Sequence, residues 1–88
     1  MVFLAANRGN TQVFSIKEET DAEAKKILTH VYNALEQKGY TGIVQIMGYL
    51  LTEDPTYITT FNNARSEIRK IDRYDVLMLM IRQYLNVK

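Results

Sequence analysis

The feature that most constrains this chain is a run of six apolar residues, Val76-Leu77-Met78-Leu79-Met80-Ile81, in a sequence of only 88. Asp72 precedes it as an N-cap, so the run falls inside a helix from about Arg73 to Leu85. Successive side chains on a helix step round its axis, and six in a row reach every face. A helix that is apolar all round has to be covered on more than one side. A chain this short makes one domain at most and has few elements to supply that cover. It has no cysteine, so neither a disulfide nor a thiolate metal site can compensate for a small core. The expected second cover is another copy of the chain, giving a homodimer with Met78, Leu79 and Met80 in the interface.

Helical periodicity runs back from there. Thr20-Asp21-Ala22-Glu23 has the form of a capping box, in which Thr20 and Glu23 satisfy each other's backbone amides. Ala24, Leu28, Val31 and Leu35 follow on one stripe that Ile27 and Ala34 widen, and Lys38-Gly39 closes the helix, which is expected over about 21–38. A second helix starts near Thr41 with Ile43, Ile46, Met47, Leu50 and Leu51 as its buried stripe. Gly48 inside it costs about 1 kcal/mol relative to Ala, which is understandable where another backbone packs closely. Glu53-Asp54-Pro55 ends that helix, and Asp54 with Pro55 opens a short helical segment holding Tyr57, Ile58 and Phe61. Asn62 or Asn63 then caps a segment with Ala64, Ile68 and Ile71. No internal repeat recurs at a period of about 20–50 residues.

Residues 1–19 lack this periodicity. Gly9-Asn10 breaks any regular pattern, and Thr11-Gln12-Val13-Phe14-Ser15-Ile16 alternates weakly, as a short strand or an extended arm does. The expected organisation is therefore a flexible or extended arm over 1–19 and a helical domain over 20–88. The fold class is all-α: a compact homodimeric bundle of about four to five short helices with an extended N-terminal arm. Val2-Phe3-Leu4-Ala5-Ala6 is too short and lacks a preceding basic residue, so it is not read as a signal peptide. No apolar stretch approaches a membrane span, and the expected location is cytoplasmic.

The sequence offers little catalytic chemistry. His30 is the only histidine, mid-helix beside the apolar stripe with no nucleophile or orienting carboxylate signature near it, and reads as an ordinary surface or boundary residue. One histidine and no cysteine argue against a structural zinc site. Gly39 and Gly42 form a cap and a turn, not a phosphate-binding loop. Glu18, Glu19, Asp21 and Glu23 suit a helix start, and the six tyrosines read as packing residues. No catalytic residue, cofactor or metal is expected, and the chain reads as a binding protein rather than an enzyme.

The one basic cluster is Arg65, Arg69, Lys70 and Arg73. If a single helix carried them, Arg65, Arg69 and Arg73 would share a face. Such a row could follow the phosphates of a nucleic acid or hold a phosphopeptide or other anion. With a net charge of only +1, a solvated face paired with Glu67, Asp72 and Asp75 is the favoured reading, and nucleic acid is the lesser alternative.

Val31-Tyr32-Asn33-Ala34-Leu35-Glu36-Gln37-Lys38-Gly39-Tyr40, then Gln45-Ile46-Met47-Gly48-Tyr49-Leu50-Leu51, Asp54-Pro55-Thr56-Tyr57-Ile58, Asn63-Ala64-Arg65, Ile68-Arg69-Lys70 and Tyr84-Leu85 together make a long and specific string. Over about residues 11–85 the chain resembles the IreB family of small cytoplasmic regulatory phosphoproteins of low-GC Gram-positive bacteria. The resemblance implies a helical homodimer with a mobile N-terminal arm. It also implies a substrate of a Ser/Thr kinase and its partner phosphatase, and a role in resistance to cell-wall-active antibiotics. The family's arm reads T-V-R-F-x-F, so Thr11 aligns with its phosphoacceptor. The chain departs from the pattern in having Thr41-Gly42 after Lys38-Gly39-Tyr40, Arg8 where a second threonine would stand, and Met78, Leu79 and Met80 where glutamates are usual. A phosphate on Thr11 adds about −1.5 to −2 charge, which the Arg65, Arg69 and Arg73 row or a helix start would attract. The expected partners are a second copy, a kinase and phosphatase, and an unknown downstream protein, with no membrane association.

Overall fold

The computed structural model describes residues 11–87, and every element in them is helical. Helix α1 spans Thr11–Gln37, α2 Gly42–Thr52, α3 Ala64–Ile68 and α4 Arg73–Leu85, with 3₁₀ turns at Pro55–Tyr57 and Phe61–Asn63 between α2 and α3. Around these the molecule measures 45 × 23 × 21 Å. The long axis reflects α1, whose 27 residues rise about 40 Å at 1.5 Å each.

That helix already runs ten residues before the point the capping box suggests. Thr20-Asp21-Ala22-Glu23 lies in its interior, and residues 11–16 are helical rather than a strand or extended arm. From Thr11 to Gln37 there is neither glycine nor proline. Once a helix is nucleated, each added residue gains a hydrogen bond, so a local cap is overrun where no breaker enforces it. The first ten residues of the expected arm lie outside the described residues.

The predicted stripe forms the core. Ala24, Ile27, Val31, Ala34 and Leu35 of α1 are buried, with Leu28 packed beside them. Ile46, Tyr49 and Leu50 of α2 join them, along with Ile58, Ala64, Ile68 and Val76. No polar or charged side chain is buried among the described residues.

Local chemistry sets the boundaries. α1 ends in a Schellman arrangement: Gly39 takes φ +87° while Tyr40 N–H donates to Leu35 O at 3.0 Å and Gly39 N–H to Glu36 O at 3.0 Å. α2 begins after Thr41, but the Thr41 hydroxyl makes no capping bond. The Glu36 carboxylate instead accepts from Gly42 N–H at 2.9 Å, placing negative charge at the positive end of the helix. Asp54 accepts from Thr56 N–H at 3.0 Å, with Pro55 in the first helical position. Asp72 caps α4 through Tyr74 N–H at 2.9 Å and, more loosely, Asp75 N–H at 3.4 Å. Asn86, at φ 64°, ends α4 as Gly39 ends α1, with Val87 N–H donating to Arg82 O at 2.9 Å.

Candidate functional site

α4 contributes a single side chain, Val76, to the fully buried core, with Leu77 partly buried against it. The rest of its apolar run faces outward. Met78 and Met80 are exposed and Leu79 is half-buried. Tyr74, Met78, Ile81 and Leu85, spaced four, three and four apart, form an exposed stripe.

α2 also leaves large apolar side chains uncovered. Ile43 and Leu51 are each 68% exposed and Met47 51%, although all three belong to the stripe expected to be buried. One face of α2 packs on α1 and the opposite face is left open. With Leu28 and Tyr32 of α1 and Leu77 and Met80 of α4, these side chains line a groove of about 520 Å³ that is almost wholly apolar. The sequence carries a signal for this face: seven of the nine residues from Ile43 to Leu51 are apolar, more than one stripe can bury. Like the run in α4, this one has more apolar faces than a single neighbour can cover.

The basic residues do not form the row that their spacing suggests. α3 ends at Ile68 and α4 begins at Arg73, so Arg65 and Arg73 sit on different helices and Arg69 is the α3 C-cap. Arg65 Nε donates to Ile58 O at 2.8 Å, fixing the segment before α3. Arg73 Nη1 donates to Leu50 O at 2.8 Å in the last turn of α2, and its Nε lies 3.5 Å from the Glu53 carboxylate. Lys70 Nζ pairs with Glu67 at 2.9 Å, and that carboxylate raises the lysine pKa. Arg69 is exposed.

His30 Nε2 lies 2.7 Å from Asn62 O. A carbonyl only accepts, so the imidazole donates from Nε2 and ties α1 to a turn whose residues Asn62 and Asn63 both have positive φ. This is a structural contact on the surface, as expected for a boundary histidine. Among the described residues no three His, Cys, Asp or Glu side chains are placed to hold a metal ion. Thr11 lies in α1, at the edge of the described residues.

The described residues thus carry an open apolar groove and a set of cations mostly tethered to neighbouring groups. A family model described as IreB regulatory phosphoprotein matches residues 9–86. The chain belongs to the IreB family. The match takes in α1 through α4, so the helices that build the IreB core and those that line the groove are both inside it. As an IreB member the chain is a small regulatory protein of a phosphoprotein family. No helix among its described residues is long and apolar enough to cross a membrane.

Proposed function

We propose that this IreB-family chain is a non-catalytic cytoplasmic regulator that acts as a homodimer. In this reading a Ser/Thr kinase modifies it on Thr11, a phosphatase reverses the modification, and the pair reports cell-wall stress or antibiotic exposure. The observation that carries the binding role is the groove between α1, α2 and α4, whose apolar side chains are left exposed in a single copy. A second copy covers Met80 and the exposed α2 face, and Met78 and Leu79 adjoin that interface.

A phosphate on Thr11 adds about −1.5 to −2 charge to the chain. Docking of that phosphate on the arginines has little support, since Arg65 and Arg73 each spend a donor on a backbone carbonyl. The same tethering weighs against nucleic-acid binding through Arg65, Arg69, Lys70 and Arg73.

Intact mass and peptide mapping of the protein from its native cells test this. A species heavier by one phosphate on Thr11, increasing under cell-wall stress, is expected. An unmodified chain in growing and stressed cells removes the kinase-linked reading. A gel shift with nucleic acid that weakens steeply with salt would replace it with the alternative.

A further inference from the structure

The outer stripe of α4, Tyr74, Met78, Ile81 and Leu85, has the alternating four-three-four spacing of an apolar seam between two paired helices. Val76 lies on the opposite side of the helix, in the core, so the seam points away from its own copy. The two flanks of the seam differ. Leu77 and Tyr84, seven residues apart, form one flank. Asp75 and Arg82, also seven apart and opposite in charge, form the other. Leu77 lines the groove, so the apolar flank runs on into it, and Tyr84 on the same flank is 90% exposed. Among the described residues neither Asp75 nor Arg82 makes an ion pair.

We infer that α4 pairs antiparallel with α4 of a second copy along this seam, an inference that rests on the homodimer reading and gives it an element and an orientation. Reversing one of two facing helices brings like flanks together. Asp75 then meets the partner's Arg82, and Leu77 meets the partner's Tyr84. A two-fold axis makes each of these pairs twice. In a parallel pair the charged flank faces the apolar one, which strips water from both charges without pairing them. The charges therefore select the antiparallel arrangement. Tyr74 and Tyr84 bury about 150–250 Å² each when covered. With Met78, Ile81 and Leu85 this face approaches the roughly 800 Å² per partner of a stable interface. The apolar flank carries the contact over the mouth of the groove, so seam and groove belong to one interface.

The test measures the dimer dissociation constant of the full chain by sedimentation equilibrium, with circular dichroism to follow the helices. Asp75→Arg and Arg82→Asp each set like charges against one another in both symmetric pairs, and each should weaken the dimer about tenfold. The double variant Asp75→Arg/Arg82→Asp restores opposite charges and should recover the affinity of the unmodified chain. Both new charges oppose the helix dipole, so that recovery cannot come from a more stable α4. The chain has no cysteine, so Tyr74→Cys/Leu85→Cys reads the orientation. Mild oxidation should link two copies in the double variant and in neither single one. Linkage in the single variants would show a parallel pair and overturn the proposal. A double charge swap no tighter than the single swaps overturns it as well. A chain that sediments as one copy removes the homodimer and this pairing together, whereas a dimer indifferent to both single swaps removes the pairing alone.

Discussion

A Cβ placed on Gly48 would lie 2.5 Å from Cε1 of Tyr57, inside the ring's van der Waals surface. Tyr57 is held over that glycine because its carbonyl accepts from Gln45 Nε2 at 3.0 Å, one helical turn before Gly48. The glycine in the middle of α2 is therefore a seat for the aromatic ring of the following 3₁₀ turn. Gly48→Ala gains helix propensity but forces the ring aside, an overpacking cost of about 1–3 kcal/mol. A net loss in urea unfolding is expected, and Tyr57→Ala in the same background should recover part of it. A more stable Gly48→Ala would show that the ring moves freely.

Arg73 works as a bridge between α2 and α4. Its Nη1 reaches a carbonyl in the last turn of α2, while Glu53 sits beside its Nε largely in solvent. Arg73→Ala should cost about 1.5–3 kcal/mol, the range for hydrogen bonds to charged groups. Glu53→Ala should cost under about 1 kcal/mol, as exposed ion pairs do. Urea midpoints for the two variants separate the bridge from the surface pair, and equal losses would contradict this division.

Asp54 links stability to pH. Its carboxylate accepts from the Thr56 hydroxyl at 2.7 Å and the Thr56 N–H at 3.0 Å, and these bonds hold its pKa below the ordinary 3.8. A carboxylate with a depressed folded pKa contributes stability that is present above the unfolded value and is lost as pH falls through the folded one. Unfolding midpoints should therefore decline as the solution is acidified from the ordinary value downward. Asp54→Asn keeps an N-cap acceptor without titrating, and its midpoints should decline less over that interval. An identical acid slope in both proteins would show that other carboxylates set it. Lys70 acts in the opposite sense: its raised pKa adds stability below 10.5 that is lost as pH rises through the folded value.

Asn62 and Asn63 adopt left-handed backbone in succession, at φ 53° and 61°. Asparagine visits that region more readily than most residues, and glycine visits it freely. Asn63→Gly should fold with near-unchanged stability. Asn62→Val, β-branched at positive φ, should lose about 1–3 kcal/mol and release the His30 contact. The His30 imidazole resonances report that release directly.

Much of this architecture is legible in local sequence because it rests on short-range chemistry. The α1 stripe from Ala24 to Leu35, the Asp54-Pro55 and Asp72 starts and the Gly39 end are each decided within a few residues, and each holds. The head of α1 is not, because a capping box is only one of the states open to Thr20 and Glu23. Continuation of an unbroken helix gains more hydrogen bonds. The arginine row fails for a related reason. Spacing of four implies a shared face only on one helix, and the Asp72 cap breaks the helix between Arg69 and Arg73. The groove is half legible: the α4 run announces itself by length, whereas Gln45 and Gly48 interrupt the α2 run and make it look like a single stripe.

The two faces of the apolar helices separate folding from association. Val76 is 1% exposed and faces the core, so Val76→Asp buries an unpaired carboxylate and should prevent stable folding. Met47 and Met80 line the groove at 51% and 44% exposure, so a charge there meets water in a single copy. Met47→Glu and Met80→Glu should keep the helical circular dichroism signal while reducing the mass measured by light scattering from two copies to one. Leu79→Asp, half-buried between α1 and α4, should lose both stability and association. If Met47→Glu and Met80→Glu remained dimeric, the second copy would have to sit on the outer stripe of Tyr74, Met78, Ile81 and Leu85. Ile81→Asp would then become the variant that gives a folded monomer.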